Sequence, residues 1–172
     1  MFLSVLAAFV KKGSREQKVK AVVQRVINAS VTVNGDIKGK IESGLLIYLG
    51  VGLYDEQQEA DWLVDKITNL RIFDDADGKM NLSIKDFLAN GVKAGCLVIS
   101  QFTLLADARK GRRPSWNNAA PPEKAKILYE YFIQSVKKQN LLCETGEFQS
   151  HMNVTYTNDG PVTIILDTND LK

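Results

Sequence analysis

Gly44-Leu45-Leu46-Ile47-Tyr48-Leu49-Gly50-Val51 is apolar at almost every position and bounded by glycines. A half-buried strand alternates polar and apolar residues, so an unbroken run of this length reads as a strand covered on both faces. Gly95 to Ser100 repeats the pattern with Cys96-Leu97-Val98-Ile99. The chain must therefore place material on two sides of a sheet. At 172 residues and 45% apolar composition it has enough core-forming side chains for one domain.

The remaining segments supply that cover. Lys20 to Ile27 and Ala29 to Val33 are rich in β-branched residues, and Asn34-Gly35 is a hairpin signal leading into Asp36 to Ile41. A helix begins at Asp55, with Ala60, Leu63, Val64, Ile67 and Leu70 recurring at a 3.6-residue period. A second helix opens at Pro121-Pro122-Glu123 and carries Ala125, Leu128, Phe132 and Val136 on one face. Two strands, about Met152 to Thr157 and Val162 to Asp167, close the chain around an Asn158-Asp159-Gly160-Pro161 turn. The expected fold class is α/β, a layered β/β/α domain with largely antiparallel or mixed sheets covered by two helices. The domain spans residues 19–172, and residues 1–18 form an N-terminal extension expected to lie outside the core.

In that extension the apolar residues precede Lys11-Lys12. A secretory signal has the reverse order, and the stretch is too short to span a bilayer. The stretch reads as a leftover upstream extension, with an organelle-targeting segment the alternative; no membrane association is expected, and the localisation is expected to be cytoplasmic. Formal net charge is only +2, so any nucleic-acid contact has to come from a local patch. Cys96 and Cys143 are far apart in sequence and read as ordinary thiols of a reducing compartment.

The usual hydrolytic and cofactor motifs are missing. There is no Gly-x-Ser-x-Gly elbow, no phosphate-binding glycine spacing and no zinc-ligand spacing, and His151 is the only histidine. Asp74-Asp75-Ala76-Asp77-Gly78 fails as a calcium loop because Phe73 and Ile84 fall at the first and last ligand positions. It reads as a solvated turn, and no metal or cofactor is expected. What remains is a polar cluster where a buried strand ends. Ser100, Gln101 and Thr103 offer hydroxyl and amide groups, and Phe102 offers a backbone N–H to an oxyanion. Taken alone, the same residues could simply terminate a strand. Lys110-Gly111-Arg112-Arg113 adds a short cationic run, and Gly160-Pro161 is a rigid pair able to adopt a cis bond.

Ser100-Gln101-Phe102-Thr103-Leu104 and Asn158-Asp159-Gly160-Pro161-Val162-Thr163 together resemble the two signature motifs of the D-aminoacyl-tRNA deacylase family. Collinear stretches support the likeness: Ala21-Val22-Val23-Gln24-Arg25-Val26, Gly78-Lys79-Met80-Asn81-Leu82 and Arg113-Pro114-Ser115. The resemblance implies a homodimer that hydrolyses the ester joining a D-amino acid to the terminal adenosine of tRNA. It further implies that Gly160 and Pro161, through a cis bond, enter the partner subunit's pocket as a chiral gauge, braced by Arg25. Ser100, Gln101, Phe102 and Thr103 would line the reacting end, Met152 and Phe148 the pocket wall, and Lys110, Arg112 and Arg113 would grip the acceptor stem. The chain departs from the family pattern at Arg112 and at Phe148-Gln149-Ser150, where Phe-Gly-Ala is usual. Thr103 is open to two roles, nucleophile or positioning residue. A non-catalytic tRNA-end-binding module is the alternative to an enzyme.

Overall fold

The computed structural model describes residues 19–168; the extension expected over residues 1–18 lies outside them. Strand β1 (Lys20–Val33) turns at Asn34-Gly35, both with positive φ, into β2 (Asp36–Ile41) and then β3 (Ser43–Gly50). Val33 lies opposite Asp36, Ala29 opposite Ile41 and Lys20 opposite Gly50, so β2 and β3 together run back along one edge of β1. β1 runs unbroken through Asn28, whose Nδ2 donates to Thr157 Oγ1 across the other edge at 3.1 Å.

Downstream come helix α1 (Gln57–Thr68), the small hairpin β4 (Phe73–Asp74) and β5 (Met80–Leu82), helix α2 (Ile84–Ala89) and β6 (Ala94–Ser100). A 3-10 turn (Phe102–Leu105), helix α3 (Pro122–Lys137), β7 (Leu142–Thr145) and β8 (Asn153–Asp167) complete the order. β3 pairs in parallel with β6 and β6 with β7, while β8 runs antiparallel along β1 for nearly its whole length.

The double-sided burial of β3 and β6 has a direct physical basis. Leu45, Ile47 and Leu49 join Cys96 and Val98 in a core shared with Leu63 and Ile67 of α1 and Phe132 and Val136 of α3. The alternate residues Leu46, Leu97 and Ile99 face a second core with Val26, Val31 and Ile41. That second cover is made of strand, because β2 folds over the sheet so closely that a Cβ on Gly39 would lie 2.6 Å from the Thr145 carbonyl oxygen. The molecule is thus a mixed α/β layering of strand, strand and helix.

Two expectations are corrected and one strand is added. The two helices are joined by a third, α2, whose six residues are too few to display a period but whose Ser83 accepts from the Asp86 N–H in a capping box. β7 has no alternation to reveal it; it pairs Cys143 with Cys96, bringing two thiols distant in sequence into register. Both thiols are buried, and burial pushes Cys143 up to about 12 and Cys96 higher, which leaves them inert at neutral pH. Finally, the two closing strands are one strand, and Gly160-Pro161 is not a hairpin turn.

Helix α1 starts two residues later than its periodicity suggests because Asp55 is used elsewhere. Its fully buried carboxylate accepts the Val19 N–H at 2.9 Å and the Gly52 N–H, tying the start of β1 to the loop after β3. Burial, with Glu59 nearby, outweighs these hydrogen bonds and pushes its pKa from 3.8 up to about 6. A raised carboxyl pKa means that the folded state favours the protonated form. The stabilisation from Asp55 is therefore full below pH 3.8 and is lost as pH rises through about 6. Asp55→Asn removes this titration. Urea unfolding at acidic and neutral pH is expected to show the variant gaining on the wild type by on the order of 2 kcal/mol as pH rises. Parallel pH profiles would contradict it.

Candidate active site

A cavity of about 630 Å³ opens where β6 ends, lined by Ser100, Gln101 and Phe102 on one side. β6 delivers them there because its ladder with β3 continues to the last residue, where the Gln101 N–H donates to the Leu49 carbonyl at 2.8 Å. The chain then tightens into the 3-10 turn, whose first N–H groups, beginning with Phe102, have no acceptor within the helix. Thr103 is exposed beside the mouth, and its Oγ1 accepts a hydrogen bond from Gln101 Nε2.

The opposite wall is the start of α3 and the loop before it, with Ala119, Ala120, Pro122, Ala125 and Tyr129. Tyr129 is fixed by donating its hydroxyl to the Val98 carbonyl at 2.8 Å, and burial pushes its pKa well above the ordinary phenol value. Phe148 packs against it with ring centroids 5.7 Å apart. Gln149, Ser150, His151 and Met152 continue that wall. Gln149 has φ +63, a left-handed conformation that suits the glycine usual at this position. The residues singled out along the sequence therefore gather as follows: Ser100, Gln101, Phe102, Phe148 and Met152 line one cavity, whereas Thr103 does not line it and is linked to it through its hydrogen bond with Gln101.

Gly160 and Pro161 are elsewhere. Along β8, Asn158 is opposite Val26 and Thr163 opposite Gln24, so five residues of β8 match two steps of β1, and the segment between leaves the ladder as a bulge. The Gly160–Pro161 peptide is cis and Gly160 has φ +114. A Cβ there would sit 2.8 Å from Val162 Cγ2, so glycine is required on both counts. Arg25 lies buried beneath the bulge. Its Nη1 donates to the Ile72 carbonyl at 2.7 Å and to Asp74 Oδ1 at 3.2 Å, and its Nε is 2.8 Å from Asp159 Oδ2, an ion pair without hydrogen-bond alignment. The guanidinium thus joins β1, β4 and the bulge. Gly160 and Pro161 do not line the cavity of their own chain.

Lys110, Arg112 and Arg113 are exposed on a loop closed at its base by two backbone hydrogen bonds between Asp107 and Ser115, at 2.8 and 3.0 Å. Arg109 is committed to Asp107 at 2.6 Å and holds that carboxyl well below the usual carboxylate range. Among the described residues no carboxylate pairs with the other three cations. Immediately after the loop comes Trp116, which also lines the cavity and meets Phe102 edge-to-face. Trp116 and Tyr129 were not singled out along the sequence. The signal for Trp116 is an aromatic directly following a basic run, whereas Tyr129 reads as an ordinary member of the apolar face of α3. Among the described residues no group of three or more His, Cys, Asp or Glu side chains is arranged to hold a metal.

The family model described as D-Tyr-tRNA(Tyr) deacylase matches residues 22–167. A D-aminoacyl-tRNA deacylase of Thermosipho melanesiensis is 56% identical over 151 residues, covering 87% of this chain and 97% of that protein. A D-aminoacyl-tRNA deacylase of Thermotoga petrophila is 50% identical over 153 residues, covering 89% and 99%. Among solved structures, one described as "c-Myc DNA Unwinding Element Binding Protein" is 41% identical with a TM-score of 0.78, covering 86% of this chain and 97% of that one. Another, described as "Structural Analysis of a probable eukaryotic D-amino acid tRNA deacylase", has a TM-score of 0.72 at 14% identity, covering 87% and 98%, a likeness of fold.

Proposed function

Because this chain belongs to the D-Tyr-tRNA(Tyr) deacylase family, we propose that its cavity holds the terminal adenosine and ester of a D-aminoacyl-tRNA while Gly160 and Pro161 of a second copy exclude L-amino acids. The protein is an enzyme, a D-aminoacyl-tRNA deacylase acting on a carboxylic ester. In the reaction a water oxygen bonds to the carbonyl carbon, the ester C–O bond breaks, and the ribose oxygen leaves with a proton. Free D-amino acid and tRNA result.

The observation that carries this reading is the Gln101–Thr103 pair at the mouth of the cavity. Gln101 donates into the Thr103 oxygen, which makes that oxygen a poorer nucleophile and leaves its hydroxyl proton free to point outward. Among the described residues no histidine or carboxylate is bonded to Thr103 to accept its proton. Thr103 therefore acts as a donor that positions the carbonyl or the attacking water. The unpartnered N–H groups at the start of the 3-10 turn supply further stabilisation for the developing oxyanion. An activated ester demands little more.

Handedness is tested without reading the side chain. All α-amino acids share their amino, carbonyl and Cα–H groups, so a pocket that fixes these can reject one enantiomer by steric mismatch alone. Glycine lacks the feature being tested, and glycyl-tRNA is accordingly a substrate. The bulge is braced by Arg25 yet lies outside its own chain's cavity, which favours action across a homodimer. Among the described residues β8 pairs only with β1 and exposes Ile165 to 72%, an edge that a second copy would cover. Lys110, Arg112 and Arg113 meet acceptor-stem phosphates. No helix among the described residues is long and apolar enough to cross a membrane. Action in the cytoplasm, on tRNA used in translation, is part of the same reading.

Incubation with D-tyrosyl-tRNA is expected to release free D-tyrosine, and glycyl-tRNA is expected to be hydrolysed as well. Tight binding of the D-ester without its loss would instead identify a tRNA-end-binding module.

A further inference from the structure

Two large aromatic side chains stand at the rim of the cavity without being buried: Phe102 is 57% exposed and Trp116 39%. Their ring centroids are 5.7 Å apart with planes at 61°. In this edge-to-face arrangement each ring keeps at least one face that the other does not cover. Trp116 is also held in place by its backbone. Ser115, its neighbour, is locked to Asp107 by two hydrogen bonds, and the Trp116 carbonyl accepts from the Ala119 N–H at 3.0 Å. The loop just before it carries Lys110, Arg112 and Arg113, which have no ion-pair partner among the described residues.

A fixed aromatic face next to unpaired cations matches the chemistry of a single-stranded nucleic acid, where bases stack and phosphates need neutralising. We propose that Trp116, braced by Phe102, stacks the base of the nucleotide preceding the terminal adenosine, with the loop cations on the phosphates that follow. This rests on the deacylase reading, which fills the cavity with the terminal adenosine and its ester. A strand leaving that cavity towards the basic loop must cross the rim at Trp116. The contact measures whether the adenosine is attached to a polynucleotide, and so separates tRNA from free aminoacyl-nucleoside.

Two measurements test the proposal. In the first, Trp116→Ala and Trp116→Phe are assayed on D-tyrosyl-tRNA and on D-tyrosyl-adenosine, which lacks the preceding nucleotide. Trp116→Ala is expected to raise KM for the tRNA about 10- to 100-fold with little change in kcat, to raise KM for the short ester far less, and to be largely rescued in Trp116→Phe. Equal losses on both substrates, or no loss on either, would overturn the proposal. In the second, Trp62→Phe leaves Trp116 as the single tryptophan, and its fluorescence is titrated with a cytidylyl-cytidylyl-adenosine trinucleotide and with adenosine. Markedly stronger quenching by the trinucleotide than by adenosine is expected; no quenching, or the same quenching by both, refutes the platform. This titration does not require turnover. An inactive wild type that still quenches would refute the deacylase reading while supporting the stacking contact.

Discussion

Arg25→Leu is expected to lower folding stability by about 1–3 kcal/mol and to reduce D/L discrimination by at least roughly ten-fold. The two effects have different origins. In stability, the variant leaves the Ile72 carbonyl without its donor at 2.7 Å, whereas Asp74 and Asp159, about half exposed, regain water once the cation is gone. That limits the loss to less than a fully buried ion pair would cost. In selectivity, the bulge carrying Gly160 loses a buried side chain that ties it to β1 and to Asp74. Arg25→Lys separates the two, because an ammonium keeps the charge but cannot reproduce a planar fork that reaches Ile72, Asp74 and Asp159 together. Lysine is expected to recover part of the stability and little of the selectivity. Urea unfolding and kcat/KM for the two enantiomeric esters report these separately, and an Arg25→Leu enzyme with full selectivity would remove the brace from the account.

Thr103→Ala is expected to reduce kcat on D-tyrosyl-tRNA about 100-fold with KM nearly unchanged, as for loss of one donor aimed at a developing oxyanion. The side chain is exposed and, among the described residues, its only hydrogen bond is the one it accepts from Gln101, so the fold and melting temperature should be preserved. Thr103→Ser retains a hydroxyl at the same reach and should restore most of the rate. A nucleophile assignment makes a different prediction, a covalent acyl-enzyme trapped by rapid quench. Wild-type rates in Thr103→Ala would place the donor elsewhere, with the Phe102 N–H the next candidate.

Much of the architecture was legible because burial leaves a compositional mark. Leu45 to Leu49 and Cys96 to Ile99 lack alternation since both of their faces are covered, one by helices and one by folded-over strand. Asn34-Gly35 marked the hairpin because few other pairs tolerate two positive φ values. Short elements left no such mark: α2 and β7 are held by tertiary contacts and a local cap rather than by periodicity. Gly160-Pro161 was misread in kind. A glycine-proline pair between two apolar runs signals a reversal, yet both runs pair with β1 in the same direction, and only the register distinguishes a bulge from a turn. At the site, local motifs located the strand end that carries Ser100 to Phe102, whereas Trp116 and Tyr129 come to the cavity from separate elements that only the fold brings together. Asp55 shows the same limit, since its partner Val19 is 36 residues away.

One protein is proposed to distinguish the handedness of an ester it hydrolyses. Incubating the purified enzyme with D-tyrosyl-tRNA and L-tyrosyl-tRNA at equal concentration and following the decay of each tests this. Rapid loss of the D-ester is expected while the L-ester decays at the rate seen without enzyme; equal decay of both, or faster loss of the L-ester, would contradict the proposal.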